Sequence, residues 1–321
     1  MRRSSKRASP SVVSAAPPPP GGAGESGLTL ARERTLAARW SVQCVGIDEA
    51  GRGPLAGPVV AAALAVVGGG GAGAGVPVCG VRDSKDVPEA EREALFKALV
   101  AHPSVVYGVA VIERDVIDEI NILQATMRGM EAAFEQVRRQ LAARSGAPKA
   151  VYALVDGPKV PAAIAAAVEA RGSAAGAAAG APAVQFAEPV IGGDAKVYSI
   201  AAASLLAKVT RDRIMREADA KYPAYGFAQH KGYGVAAHVA AIFEHGPCAI
   251  HRTTFNPVKS MLAAKRVAAA APAAAEPAPA KAAAAARGGR RTRVASAELD
   301  ALIAAVPPAS ARSGGKRARR D

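Results

Sequence analysis

Residues Val42 to Asp48 form an apolar run of strand length that ends in Glu49-Ala50-Gly51-Arg52-Gly53-Pro54, two adjacent carboxylates running straight into a glycine-flanked arginine. Side chains alternate along a strand, so a strand continuing past Asp48 would send Asp48 and Glu49 to opposite faces. Gly51 and Gly53 open backbone angles closed to other residues and leave no side chain to hold a polyanion away. The strand is therefore expected to stop at Asp48, with both carboxylates leaning toward one point. That is the chemistry of a metal site beside a phosphate site, and an exposed acidic turn is the competing reading.

Four further segments have strand character: Val59 to Val67, Val105 to Ile112, Val151 to Asp156 and Ala183 to Ala187. Helical patterns lie between and after them. Pro88 to Leu99 begins with proline in its first turn and carries Glu89, Glu91 and Glu93 where the helix dipole favours acids. Ile122 to Leu141 spaces Met127, Met130, Phe134 and Val137 by three or four residues, a core stripe. Tyr198 to Tyr222 reads as one long helix stopped by Pro223. Strands mixed with helices in one core predict an α/β or α+β sheet covered by helices.

Half of the 321 residues are hydrophobic, enough for one sizeable core, but aromatics are only 4% and much of the rest is alanine. Alanine, glycine and proline gather at both ends and in Arg171 to Pro182, read as tails and a loop insertion. Of the net charge of +14, residues 1–40 carry +5 and residues 263–321 carry +8, leaving +1 for the segment between. Non-specific attraction to a polyanion is thus expected from the tails, and the core must bind through a local patch. Cys44, Cys79 and Cys248 form no Cys-x-x-Cys pair, which points to a reducing compartment and no zinc site. No apolar run is long enough to span a bilayer. The first 24 residues lack the apolar stretch of a secretory signal but have the composition of an organelle transit peptide; a disordered extension fits equally. Lys316 to Arg320 has the composition of a nuclear address or a polyanion clamp. An intracellular protein is expected, cytoplasmic, organellar or nuclear.

A series of short segments is similar, in order, to the type 2 ribonucleases H, specifically the bacterial-type ribonuclease HII family. They are the opening run, Asp83-Ser84-Lys85, Asn121-Ile122-Leu123 with Ala125-Thr126-Met127, Leu154-Val155-Asp156-Gly157, Gly193-Asp194, Ala202-Ala203-Ser204 with Ala207 to Asp212, Tyr225-Gly226-Phe227, His230-Lys231-Gly232-Tyr233 and His251-Arg252. The resemblance covers roughly residues 41–262. It implies an α/β, ribonuclease H-like fold, a mixed central sheet flanked by helices, with a small helical C-terminal subdomain. Residues 1–40 are then a disordered or targeting extension and residues 263–321 a disordered basic tail.

The resemblance also implies an endoribonuclease that hydrolyses the RNA strand of RNA/DNA hybrids, leaving 3′-hydroxyl and 5′-phosphate ends. Its substrates would include duplex DNA containing ribonucleotides, cut on the 5′ side of even a single one. By motif match the metal-holding, catalytic carboxylates are Asp48, Glu49, Asp156 and Asp194, serving two Mg²⁺ or Mn²⁺ ions. Carboxylates that converge without metal repel one another, so activity should need the ions and fall at low pH. Asp194 has Asp212 as a rival, although Asp212 sits four residues after Lys208, where an exposed helical ion pair explains it. Gly51, Arg52 and Gly53 match the element whose main chain faces the ribose, and Tyr233 the tyrosine that stacks on the following deoxyribose. Lys85, Ser204, Lys208 and Lys231 are candidate substrate contacts. His230 reads either as a residue near the cut or as a loop-bonded histidine, and His251 and Arg252 as packing residues. Where the family often has lysine and leucine after Asp-Ser-Lys and a threonine after the tyrosine, this chain has Asp86-Val87 and Gly234-Val235. The expected state is a monomer with no obligate protein partner and no membrane association. The rival functions are a hybrid-binding protein without turnover and a related metal-dependent nuclease such as ribonuclease HIII.

Overall fold

The computed structural model describes residues 28–68, 76–170 and 180–270. Residues 1–27, most of the 171–182 insertion and residues 271–321 of the basic C-terminal tail, including Lys316 to Arg320, lie outside the described residues.

Five strands form one mixed sheet in the order β3-β2-β1-β4-β5: β1 (Gln43–Ala50), β2 (Val59–Val66), β3 (Val105–Ile112), β4 (Ala150–Asp156) and β5 (Ala183–Val190). The chain enters through β1, folds back as the antiparallel pair β2 and β3, and then crosses to β4 and β5, each parallel to β1. Parallel pairing requires a long crossover. The one before β4 is α3 (Arg114–Ala142), and the one before β5 contains α4 (Ala162–Glu169).

Helices cover both faces. Against one lie α3 and α4, where Met130, Phe134, Val137 and Leu141 pack on Val45, Ile47, Ala61 and Ala63, as the three- and four-residue spacing predicts. Against the other lie α2 (Glu89–Ala101) and the long α5 (Tyr198–Lys221), packed on Val60, Ala62 and Leu64. A third cluster under Leu55 and Ala56 holds the C-terminal helices α6 (Phe227–His230), α7 (Ala236–His245) and α8 (Val258–Ala270), through Phe227, Val239, Ile242 and Val258.

Much of the alanine in the chain's middle belongs to this core. Ala62, Ala201, Ala202, Ala203 and Ala207 are fully buried, because α5 crosses the sheet too closely for larger residues. Gly46 marks the closest approach: a Cβ there would lie 2.2 Å from the backbone carbon of Ser199. Alanine here is packing material, so the apolar fraction overstates the core less than the scarcity of aromatics implies.

Two expected boundaries move. Strand β1 does not stop at Asp48; it continues to Ala50, with Asp48 paired to Ala62 and Glu49 to Ala61. The antiparallel partner β2 supplies hydrogen bonds that outweigh the turn propensity of the glycines. The segment before residue 41 also includes structure, since α1 (Ala31–Trp40) packs Leu36 against Val42, Cys44 and Ile200.

Glu33 of α1 is buried, and its Oε1 accepts the Ser199 N–H at 2.8 Å, capping the start of α5 from a distant part of the chain. Burial raises its proton affinity, opposed by that hydrogen bond. Glu33→Gln, which keeps the acceptor and removes the buried charge, should leave stability unchanged or higher at neutral pH. Glu33→Ala orphans a buried N–H and should cost about 1–3 kcal/mol in urea unfolding; equal midpoints for the wild type and Glu33→Ala would refute the cap.

Candidate active site

The parallel ladder sets the site. The register Ile47↔Val155 delivers Asp48 and Asp156 to the same end of neighbouring strands, and Asp156↔Val190 brings the segment after β5 beside them. A short 3-10 turn, Gly193–Ala195, then carries Asp194. Three strand ends from distant parts of the chain thus meet outside the carboxyl edge of the sheet, the usual location for ligands in α/β sheets.

Because β1 runs on past Asp48, its two carboxylates straddle the strand. Asp48 is 5% exposed and faces α5, where the nearby Ser204 hydroxyl favours its charged form. Glu49 points to the other face. Each of the four carboxylates has an oxygen engaged by a donor of the protein: Asp48 Oδ1 by the Glu49 N–H at 2.7 Å, Glu49 Oε1 by Arg52 at 3.2 Å, Asp156 Oδ1 by the Gly193 N–H at 2.7 Å, and Asp194 Oδ2 by Lys85 Nζ at 2.8 Å. Among the described residues no three acidic, histidine or cysteine side chains stand as a closed ligand set.

The electrostatics show a site short of positive charge. Burial, then the charges of Glu49 and Asp156, push the Asp48 carboxyl well above the usual range. Burial raises Glu49 against the pull of Arg52, and raises Asp156 against the Gly193 N–H, with the Asp194 charge adding to it. Lys85 answers part of this. Burial disfavours its charge, but the bond and charge of Asp194 outweigh that and hold the ammonium protonated. The donors on offer are carboxylate oxygens, the ligands hard divalent cations take, and the excess negative charge is what such cations relieve. The residues therefore fit Mg²⁺ or Mn²⁺.

Asp212, the rival of Asp194, lies elsewhere. It is 2% exposed on α5, bonded to Lys208 Nζ at 2.7 Å and within 3.5 Å of Arg92. Its ion pair is buried rather than exposed, because α2 closes over this side of α5. Lys208 is consequently engaged by Asp212, and burial lowers its pKa against that bond. Ser204 is also buried, sharing a hydrogen bond of 3.1 Å with Ser84, and its hydroxyl favours the charged form of Asp48 from within the protein. Lys231 is mostly buried, bonded to the Ala228 carbonyl and 3.7 Å from Glu89. Of the candidate substrate contacts, Lys85, Arg52, Gly53 and Tyr233 are the ones with substantial exposure.

The glycine-arginine-glycine loop is held by two buried guanidinium groups. Arg252 donates to the carbonyls of Arg52 at 2.9 Å, Gly51 at 2.6 Å, Gly57 at 3.0 Å and Pro58 at 3.2 Å. Arg211 donates to Pro58 at 2.9 Å and Ala56 at 3.1 Å, and its guanidinium lies 5.9 Å from the Tyr233 ring centroid. Sequence reasoning included Arg211 in the matched Ala207 to Asp212 segment but gave it no role, since its burial against distant carbonyls is not visible from the helix alone. Gly51 makes room for it: a Cβ at Gly51 would lie 2.1 Å from Arg211 Nε, and φ there is +96°. Gly53 is open on its outer side, with only Tyr233 Cε1, 3.7 Å from a Cβ there, within contact distance. The loop and Tyr233 thus adjoin one another beside the carboxylates.

The profile of the Ribonuclease HII family matches residues 45–258. A ribonuclease HII of Geotalea uraniireducens (strain Rf4) is 41% identical over 239 residues, 74% of this chain and 94% of that protein. One of Geobacter metallireducens is 44% identical over 218 residues, 68% of this chain and 85% of its own. The crystal structure of the ribonuclease H2 from Pyrococcus horikoshii OT3 aligns with 70% of this chain and 99% of its own, at 25% identity and a TM-score of 0.49.

The repulsion has a measurable cost. A carboxyl whose folded pKa lies above its unfolded value takes stability from the protein as pH rises through that interval. Asp48→Asn keeps the acceptor for Glu49 N–H and removes the charge, so in excess chelator it should raise the Tm at pH 7 by about 2 °C or more. The gain should shrink toward pH 4 and vanish about a unit below it, where the wild-type carboxyl is protonated in both states. A Tm below wild type at pH 7 would contradict the account.

Proposed function

Since the chain belongs to the ribonuclease HII family, we propose that Asp48, Glu49, Asp156 and Asp194 are the hydrolytic centre of this ribonuclease H and hold two divalent cations, Mg²⁺ or Mn²⁺. The enzyme is a hydrolase that cuts RNA in RNA/DNA hybrids. The observation that carries the assignment is the buried Asp48 beside the half-buried Glu49 and Asp156, all three carboxyls raised by burial and by neighbouring like charge, at the edge where β1 and β4 end together. Such a cluster costs stability and is retained where its charge has work to do.

When bound, the cations supply charge relief on the phosphoryl oxygens and a more acidic water. The protein's own groups do the rest. Asp48 and Asp156 are fixed by backbone N–H bonds, so their remaining oxygens are presented without rearrangement of the strands. Ser204, braced by Ser84, holds Asp48 from α5. Arg52, half exposed beside Glu49, is placed for a backbone phosphate, and Lys85 for another next to Asp194.

Selection between ribose and deoxyribose rests on the 2′-hydroxyl. Gly51, Arg52 and Gly53 present main-chain groups at the open side of the site, and Arg211 and Arg252 stiffen them from behind. Tyr233, exposed and in reach of Gly53, supplies a flat surface for the deoxyribose that follows. Together they favour cleavage at the 5′ side of a ribonucleotide that precedes DNA, down to one ribonucleotide in a duplex. Lys208 and Lys231, already paired within the protein, shape the surface rather than supply free charge.

Asp48→Asn and Asp156→Asn should each lower turnover of a labelled hybrid by about a thousandfold or more while leaving its binding within a few-fold. Normal turnover in either variant would defeat the assignment, as would hydrolysis that persists in excess chelator. Tyr233→Ala should reduce the preference for a single-ribonucleotide duplex over a uniform hybrid, read as the ratio of the two kcat/KM values; an unchanged ratio would remove Tyr233 from the specificity element.

A further inference from the structure

Behind Tyr233 lies a group of histidines that the hydrolytic chemistry does not use. His238 and His251 are buried, at 0% and 1% exposure, and their Nε2 atoms are 3.0 Å apart. His238 Nδ1 is 2.9 Å from the Tyr233 carbonyl, and His251 Nδ1 is 2.9 Å from the Cys248 backbone nitrogen. His230 stacks on His238 with ring centroids 4.4 Å apart.

The hydrogen-bond chemistry leaves one arrangement of protons. The Tyr233 carbonyl can only accept, so His238 carries its proton on Nδ1 and offers a lone pair at Nε2. The Cys248 N–H can only donate, so His251 accepts at Nδ1 and carries its proton on Nε2. The bond between the rings then runs from His251 Nε2–H to His238 Nε2, and donation passes in one direction: Cys248 N–H to His251, His251 to His238, His238 to the Tyr233 carbonyl. His230 works in parallel, accepting the Gly232 N–H at 3.2 Å and donating to the Tyr225 carbonyl at 2.7 Å. Both rings of the relay are neutral at physiological pH, because burial pushes each pKa down to about 4.

What the relay holds is the Tyr233 carbonyl, directly after two residues of positive φ. Lys231 has φ +52° and Gly232 φ +82°, and the Gly232 carbonyl accepts the Leu55 N–H at 2.8 Å, tying this loop to the one bearing Gly53. Among the described residues the Tyr233 carbonyl otherwise accepts only the Val235 N–H of a three-residue turn, at 2.9 Å. We propose that His238 and His251 are positioning residues that set where the Tyr233 ring stands relative to Gly53, and so tune the preference for a ribonucleotide–deoxyribonucleotide junction. This rests on the assignment of Tyr233 above.

The test measures, for each full-length variant, the ratio of kcat/KM on a duplex with one embedded ribonucleotide to kcat/KM on a uniform hybrid, both with Mg²⁺. Loss of fold or of hydrolytic power lowers both terms and leaves the ratio in place. His238→Leu removes the donor to Tyr233, and His251→Leu orphans the His238 lone pair; each should lower the ratio about tenfold, the worth of one buried hydrogen bond. His238→Asn and His251→Gln, which restore a donor at the required position, should return it to within about threefold of wild type. A folded His238→Leu with a wild-type ratio, alongside a Tyr233→Ala that shifts it, overturns the inference while the Tyr233 assignment stands. A Tyr233→Ala with a wild-type ratio overturns the assignment, and the inference with it. If His238→Leu does not fold, the His251→Leu and His251→Gln pair decides by the same criterion.

Discussion

Parallel pairing of β1 with β4, and of β4 with β5, is the constraint on which the rest of the molecule depends. Parallel neighbours end on the same side, so any acidic residue that closes one strand stands beside the residue that closes the next. Asp48, Asp156 and Asp194 come together for this reason alone, across more than half of the described chain. The crossover helices that permit the pairing also bury the sheet, and they do so at close range through Gly46 and the alanines of β2 and α5.

That arrangement concentrates like charges where water is scarce, and the protein holds them with dipoles and few cations. Backbone N–H groups engage Asp48 and Asp156, Ser204 adds a hydroxyl, and Lys85 and Arg52 bring the positive charges in direct contact. Around the neighbouring loop the pattern reverses. Arg211 and Arg252 are buried against carbonyls, each guanidinium fork matched to several oxygens of the glycine-rich turn. In the proposed function the negative centre and the positively braced loop are two halves of one device, a place for divalent cations beside a rigid surface that would read a sugar.

Several features were legible without coordinates. Apolar runs of strand length located β1 to β5, with β3 placed at Val105 to Ile112 and the end of β4 at Asp156. The helical stripe from Met127 to Val137 marked the packing face of α3. Others were not legible. The end of β1 lay beyond Asp48 because hydrogen bonds to β2 override local turn chemistry, and residue-by-residue preference carries no knowledge of a partner strand. Helix α1 was passed over for the same reason, since its order comes from docking Leu36 and Glu33 against residues far along the chain. Asp212 looked like a surface ion pair until α2 was seen to cover it.

By itself, then, the sequence determined which segments were strands, which helix faces turned inward, and which residue types were on hand for metal and phosphate. Those are properties of periodicity and side-chain chemistry, local to a few residues. Only the tertiary structure decided that Asp48 and Glu49 straddle their strand, that Ser204 and Lys208 serve inside the protein, and that Arg211, Arg252 and a line of histidines stand behind the loop and tyrosine at its mouth. Each of those outcomes depends on which groups meet across long stretches of chain, and burial against a distant partner is not written into any single segment.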